Sequence, residues 1–229
     1  MLFQYGVNKL KRGTFKRELK NRFLCEIEID GENNICYVPS SCHLSHFVEL
    51  AGKEVLIVPN LSKKSKTKYS LFAVPYKRNY IVLNTSVSNR IIESSIKRRL
   101  FSYLGNRKNV MKEHNISGYK CDLYIEDTNT IVEIKSIISE GNIAIFPTVY
   151  SERSIKQMKA IKGFLKANIP VCYCIVSLSP YAREIRINHS SEFYGELMEC
   201  VNLGMFLHGY TVALKDNGLV LKDEIPISF

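Results

Sequence analysis

Lys120-Cys121-Asp122-Leu123-Tyr124-Ile125-Glu126-Asp127-Thr128-Asn129-Thr130-Ile131-Val132-Glu133-Ile134-Lys135-Ser136 reads as two strands around a polar turn. With a two-residue loop at Asp127-Thr128, Glu126 pairs with Asn129, and counting outward sets Asp122 opposite Glu133. Opposed residues share a face of the sheet, and side chains alternate along a strand, so Lys135 joins them. Leu123, Ile125, Val132 and Ile134 collect on the other side. The spacing predicts one polar face bearing Asp122, Glu133 and Lys135, with an apolar layer behind. A slip of one residue would bury the charges instead.

Two carboxylates opposed at about 5 Å across a strand pair repel each other. A divalent cation relieves that repulsion. Mg²⁺ takes oxygen ligands, keeps several waters and binds phosphate oxygens. Such an ion polarises a phosphodiester and acidifies bound water. Lys135 would hold the water and stabilise charge developing on the phosphate. The same residues also fit an exposed hairpin carrying a Glu–Lys pair at i,i+2. On the residues alone both readings stay open.

Downstream, helices are expected over 152–166 and 191–203, with strands over 171–176, 210–214 and 219–221. That alternation predicts an α/β domain with a mixed sheet. A helix capped by Ser88-Asn89 is expected to run through Ile91, Ile92, Ile96, Leu100 and Phe101, with Lys97, Arg98 and Arg99 in its last turns. Upstream, short strands are expected at 23–29, 35–38, 55–58, 66–74 and 80–83. Five strands in so short a stretch suggest a small barrel. An OB-like barrel is the natural candidate, an architecture that often binds oligonucleotides. The expected domains are 1–84 and 85–229. Lys63, Lys64, Lys66 and Lys68 precede Tyr69 at a strand entrance, which suits a groove tracking a phosphate backbone and equally a solvated lysine loop.

The 229-residue chain carries 32 Lys and Arg against 22 Asp and Glu, a formal net charge of +10. That excess favours a polyanion such as nucleic acid, though a basic surface or an anionic membrane is also compatible with it. Residues 9–22 hold seven cations, Lys9, Lys11, Arg12, Lys16, Arg17, Lys20 and Arg22, and one acid, Glu18. The membrane reading lacks a long basic amphipathic helix. The seven cysteines include no CxxC pair and read as core residues of a reducing compartment. His43 and His46 lack further ligands at metal spacing. The first residues do not read as a signal peptide, and no apolar run approaches a membrane span, so the expected location is the cytoplasm.

Several further pieces occur in order along the chain. They are Arg22-Phe23-Leu24, Lys66-Thr67-Lys68-Tyr69-Ser70-Leu71, Asn84-Thr85 with Asn89-Arg90, Asp122, Val132-Glu133-Ile134-Lys135-Ser136, Ala144-Ile145-Phe146-Pro147 and Glu152-Arg153. In these the chain resembles the sugar fermentation stimulation protein A (SfsA) family over nearly its whole length. The resemblance implies an N-terminal OB-like domain and a C-terminal PD-(D/E)XK nuclease-like domain. It also implies DNA binding, a nuclease assignment and a link to sugar-catabolic gene expression. Carried over, Asp122 takes the metal-binding aspartate position, and Glu133 with Lys135 the ExK position. Glu93 resembles the helix acid that completes the metal site. The expected cofactor is Mg²⁺ or Mn²⁺, and the expected partner is DNA or RNA, with Arg22 and Lys120 among its contacts. Three departures stand out. Pro39 is followed by Ser40-Ser41-Cys42, Lys120 stands where Arg is usual, and Ile155 occupies the expected Gln position with Gln157 only nearby. The rival expectation is a DNA-binding regulator of sugar-catabolic genes without catalysis. The presence of two opposed acids together with a lysine favours the enzyme.

Overall fold

The basic run near the N-terminus is itself a strand. In the computed structural model, which describes residues 10–40, 43–215 and 218–229, β1 covers Lys11–Glu18. Lys9, Ser41 and Cys42 lie outside the described residues. β1 buries Phe15, and a bulge between Phe15 and Arg17 lets both Lys16 and Arg17 face outward. A single buried apolar residue among cations hides the strand period, which is why the sequence shows no strand before residue 23.

β2 (Leu24–Ile29) and β3 (Glu32–Tyr37) form a hairpin that turns Cys25, Ile27, Ile29 and Cys36 inward. β4 (Glu54–Pro59), β5 (Tyr69–Tyr76) and β6 (Asn79–Val82) follow. The order β3-β2-β1-β4-β5, closed where Tyr37 of β3 meets Ser70 of β5, makes a five-stranded OB barrel. β6 extends β5 outside the ring. Lys66, Thr67 and Lys68 belong to the loop before β5 rather than to the strand. Asn60 Nδ2 donates to the Thr67 carbonyl at 3.0 Å, holding that loop out of the ladder.

Beyond the barrel lie α1 (Val87–Ser95), β7 (Val110–Lys112), β8 (Asn115–Ile116), β9 (Tyr119–Lys120), β10 (Leu123–Ile125), β11 (Thr130–Ile137) and β12 (Ile143–Phe146). α2 (Glu152–Lys166), β13 (Val171–Ser177), β14 (Glu184–Ile187), α3 (Glu192–Asn202), β15 (Phe206–Lys215), β16 (Gly218–Ile225) and β17 (Ile227–Ser228) complete the fold. The main sheet runs β16-β15-β13-β11-β10-β7, parallel in its centre and antiparallel at both sides, so it is mixed as expected. One face packs on α1 and the barrel, forming a core that runs without interruption from Phe15 to Leu221. The other face carries α2, α3 and the small sheet β12-β14-β17. No helix among the described residues is long and apolar enough to cross a membrane.

The helix expected through Phe101 ends at Ser95 instead. Arg98 is extended and a 3₁₀ segment follows over Arg99–Leu104. In an unbroken helix, at roughly 100° per residue, Phe101 would point roughly 160° away from the Ile91–Ile92–Ile96 face. The break returns Phe101 to the core, where it is fully buried against Tyr210 at 5.2 Å between ring centroids. Nor do Ser88 and Asn89 cap the helix: Asn84 Oδ1 accepts from the Ser86 amide at 3.0 Å and turns the chain into α1 earlier. Phe101→Ala should therefore cost about 3–5 kcal/mol of stability by denaturant unfolding. Lys97→Ala, on the exposed turn, should stay within roughly 0.5 kcal/mol of the parent.

Candidate active site

The hairpin register is the one counted from its loop. Leu123 pairs with Val132, Tyr124 with Ile131 and Ile125 with Thr130, which extrapolates to Asp122 opposite Glu133. The turn is a 3₁₀ segment, Glu126–Thr128, closed by Asn129 in the left-handed region at φ 53°. Leu123, Ile125, Val132 and Ile134 enter the core shared with the barrel.

The face expected to be polar is covered. β11 pairs in parallel with β13, placing Glu133 beside Tyr173 in the middle of the sheet, and α2 covers that side. Central strands of this kind are covered on both faces. Glu133 is 1% exposed and Ile131 on the same face is fully buried. This is therefore no exposed hairpin, although Lys135 Nζ does approach Glu133 Oε2 at 3.7 Å.

A buried carboxylate needs donors. The Tyr119 hydroxyl donates to Glu133 Oε1 at 2.6 Å, and Gln157 Nε2 to Oε2 at 2.6 Å. Gln157 also donates to Tyr119 at 3.0 Å, so the two clamps are tied together. The expectation that Ile155 stands in the Gln place is corrected by this geometry. Ile155 faces the core, and Gln157 on the margin of the buried stripe of α2 reaches the acid. Asp122 is held as firmly. Asn89 Nδ2 donates to its Oδ1 at 2.8 Å, and the Ile134 amide to its Oδ2 at 2.9 Å. Ser136 on β11 donates to Ser88 Oγ at 2.7 Å, pinning α1 against the strand. Tyr119 carries no sequence signal beyond preceding Lys120, and Asn89 is masked by its apparent capping role.

Burial, then the charge of Asp122, push the Glu133 carboxyl up to about 7, while Lys135 and the Tyr119 hydrogen bond pull it down. The Tyr173 hydroxyl beside it is fully buried and has no hydrogen-bond partner among the described residues. Above these groups opens a cleft of about 950 Å³ whose lining includes Asp122, Lys135, Glu93, Arg22 and Arg153. Glu93 is ion-paired to Lys112 at 2.8 Å, and among the described residues no three His, Cys, Asp or Glu side chains converge as a metal-holding group.

Of the expected nucleic-acid contacts, Arg22 reaches this cleft. Lys120 is exposed outside its lining and paired with Glu113. Lys63, Lys64, Lys66 and Lys68 stand on the exposed loop between β4 and β5, away from the cleft lining. The cations of β1 are matched by acids: Lys11–Asp30 at 3.8 Å, Arg12–Glu54 at 3.0 Å, Lys16–Glu28 at 2.6 Å and Arg17–Glu26 at 2.7 Å.

Residues 86–218 match the family model described as "Sugar fermentation stimulation protein RE domain", and residues 18–83 match "SfsA N-terminal OB domain". The chain is 22% identical to a sugar fermentation stimulation protein homolog of Natranaerobius thermophilus, covering 100% of this chain and 98% of that protein. It is 25% identical to the homolog of Caldanaerobacter subterraneus subsp. tengcongensis, over 96% of this chain and 97% of that one. Its fold is similar to the structure of Pyrococcus furiosus SfsA in complex with Ca²⁺, at a TM-score of 0.86 and 16% identity over 100% of both chains.

Because the Glu133 carboxyl is raised in the folded state, its stabilising contribution is full below the ordinary carboxylate range and is lost as pH rises toward about 7. In EDTA, wild type should therefore lose stability between about pH 5 and 8. Glu133→Gln should lose less and exceed wild type at about pH 8 by roughly 1–3 kcal/mol. Parallel pH dependence of melting in the two proteins would contradict this.

Proposed function

The chain belongs to the sugar fermentation stimulation protein family, and on that premise we propose that it is a metal-dependent nuclease hydrolysing phosphodiester bonds of DNA or RNA. The observation that carries the reading is the buried Glu133 held opposite Asp122, with Lys135 beside them, at the edge of a cleft lined by cations. Confining two like charges costs stability, and nucleic-acid binding alone does not call on them.

The donor set fits a hard divalent cation. Mg²⁺ is commonly held by one or two carboxylates, with waters and substrate phosphates filling its remaining positions. Asp122 and Glu133 supply two carboxylates, and the Glu133 carboxyl, raised first by burial and then by the charge of Asp122, is one whose ionised form a cation would favour. The Pyrococcus furiosus protein of similar fold is described in complex with Ca²⁺, itself a hard cation that takes oxygen ligands. Bound Mg²⁺ or Mn²⁺ would supply Lewis-acid polarisation of the phosphodiester and an acidified water. The protein's own part is positioning. Tyr119 and Gln157 orient Glu133, and Asn89 with the Ile134 amide orients Asp122. Lys135, whose ammonium lies 5.9 Å from the Tyr173 ring centroid, donates to the attacking water and to the phosphate oxygen that gains charge. Arg22 and Arg153 neutralise flanking phosphates along the cleft. Glu93, ion-paired to Lys112 through Oε1, stands in the cleft lining as a third acid. Lys63, Lys64, Lys66 and Lys68 add phosphate contacts on the barrel side.

Cleavage should be tested on single- and double-stranded DNA and RNA with Mg²⁺, Mn²⁺ and EDTA. We expect metal-dependent cleavage that Glu133→Gln abolishes. Lys135→Ala should lose roughly 10²–10³-fold in turnover yet keep the metal-induced rise in melting temperature, whereas Asp122→Asn should lose both. Wild-type turnover in Lys135→Ala would refute the mechanism, and absence of metal-dependent cleavage on every substrate would refute the assignment. Replacing Lys63, Lys64, Lys66 and Lys68 together with Gln should flatten the salt dependence of binding by about one unit of slope for every phosphate these lysines neutralise.

A further inference from the structure

Much of the outer wall of the barrel is polar and charge-paired, and one corner differs. There Phe23, in the loop joining β1 and β2, and Tyr37, the last residue of β3, stand 38% and 40% exposed. Their rings lie near-parallel, 19° apart with centroids at 6.5 Å. The Arg22 guanidinium sits 4.8 Å from the Phe23 ring centroid. Two stacked aromatics left this exposed are costly in water, and neither is among the partly buried residues packed on the barrel core. Arg22 also lines the cleft that holds Asp122 and Lys135, so the aromatic corner and the candidate active site are continuous through one residue. In a five-stranded barrel of this topology, oligonucleotides bind across the face of strands 2 and 3 and the loops joining strands 1–2 and 4–5. Phe23 occupies the first of those loops, Tyr37 the third strand, and the lysines at 63, 64, 66 and 68 the second loop.

We propose that Phe23 and Tyr37 form a stacking platform for unpaired bases, with Arg22 gripping the adjoining phosphate, so that the cleft receives single-stranded nucleic acid. Aromatic faces accept any base, but only one whose own face is free. A duplex buries its base faces between neighbours and offers this corner only its backbone. Charge complementarity points the same way: β1 cations near this wall are matched by acids, whereas Arg22 stands beside the aromatic rings and in the cleft lining that leads to Asp122. The inference rests on the nuclease reading for its direction into the cleft, but not for the platform itself.

The experiment measures binding in EDTA, where cleavage cannot intervene, using fluorescein-labelled oligodeoxythymidine, oligouridine and a mixed-sequence DNA hairpin duplex. Phe23→Ala/Tyr37→Ala should bind at least one of the single strands about tenfold or more weakly, bind the duplex within about twofold of wild type, and leave the salt slope unchanged, since stacking releases no counterions. The two single-strand arms distinguish DNA from RNA. The chain contains no Trp, so Tyr37→Trp gives a single fluorophore on the platform. Its emission should be quenched by the single strand that binds and not by the duplex. Unchanged single-strand affinity in the double variant, equal loss for single strand and duplex, or quenching by the duplex alone overturns the proposal. The melting temperature of each variant identifies any that fail to fold, and Tyr37→Trp, which keeps an aromatic ring, then decides. If Glu133→Gln abolishes metal-dependent cleavage while the double variant binds normally, the platform fails and the nuclease reading stands. If no substrate is cleaved but the platform binds single strands, the reverse holds.

Discussion

A carboxylate buried in the middle of a sheet is expensive unless its oxygens find donors, and the second half of this chain is arranged around meeting that requirement for Glu133. Strand β11 has helices on one side and the barrel core on the other, so any polar residue at position 133 enters a covered layer. Tyr119 arrives from the short β9, Gln157 from α2 and Lys135 from β11 itself. Those elements cannot shift independently without leaving the acid unsatisfied. The Asp122 clamp does the same for α1, because Asn89 reaches across from the helix. The two acids thus hold the sheet, α1 and α2 in one relative arrangement, at the expense of their own repulsion.

The barrel is bound to this arrangement by packing. Its core continues through Val87, Ile91 and Ile92 into the near face of the main sheet, and the Val82 amide donates to the Leu178 carbonyl at 2.9 Å. Tyr181 adds a second tie, its hydroxyl accepting from the Arg78 amide at 2.9 Å. The cleft opens where the two parts meet, lined by Arg22, Ser40 and Phe47 from the barrel side and by Asp122 and Lys135 from the sheet. A ligand in that cleft touches both halves, so barrel residues can select what the acids receive.

The parts legible in the sequence are those where periodicity and polarity agree. The 122–135 hairpin has a polar turn between apolar runs, so a single count sets its register. α2 and α3 have apolar stripes at helical spacing, and they form within a residue or two of their expected bounds. What stays hidden is governed by contacts distant in sequence. β1 hides behind cations whose partner acids lie on other strands. Helix α1 breaks because burying Phe101 outweighs continuing the helix, a tertiary preference that a capping pattern cannot reveal. The acidic face looks open in the sequence for the same reason. Alternation tells which side chains share a face, not whether a parallel partner and a helix will cover it.

The distribution of charge shows why a net excess of +10 is a poor guide to where a polyanion would bind. On the barrel wall, cations and acids alternate across neighbouring strands at 2.6–3.8 Å, which makes that surface nearly neutral at short range. Exposed pairs of this kind contribute little to stability, yet they consume most of the positive charge the N-terminal run brings. The cleft is different. Its lining holds five Lys or Arg residues against three acids, and one of those acids is Asp122. Field lines concentrate in a concave, low-dielectric seam far more than over a convex wall. A small excess in the cleft can therefore set up a stronger local potential than the longer basic run on β1, whose charge is matched at short range.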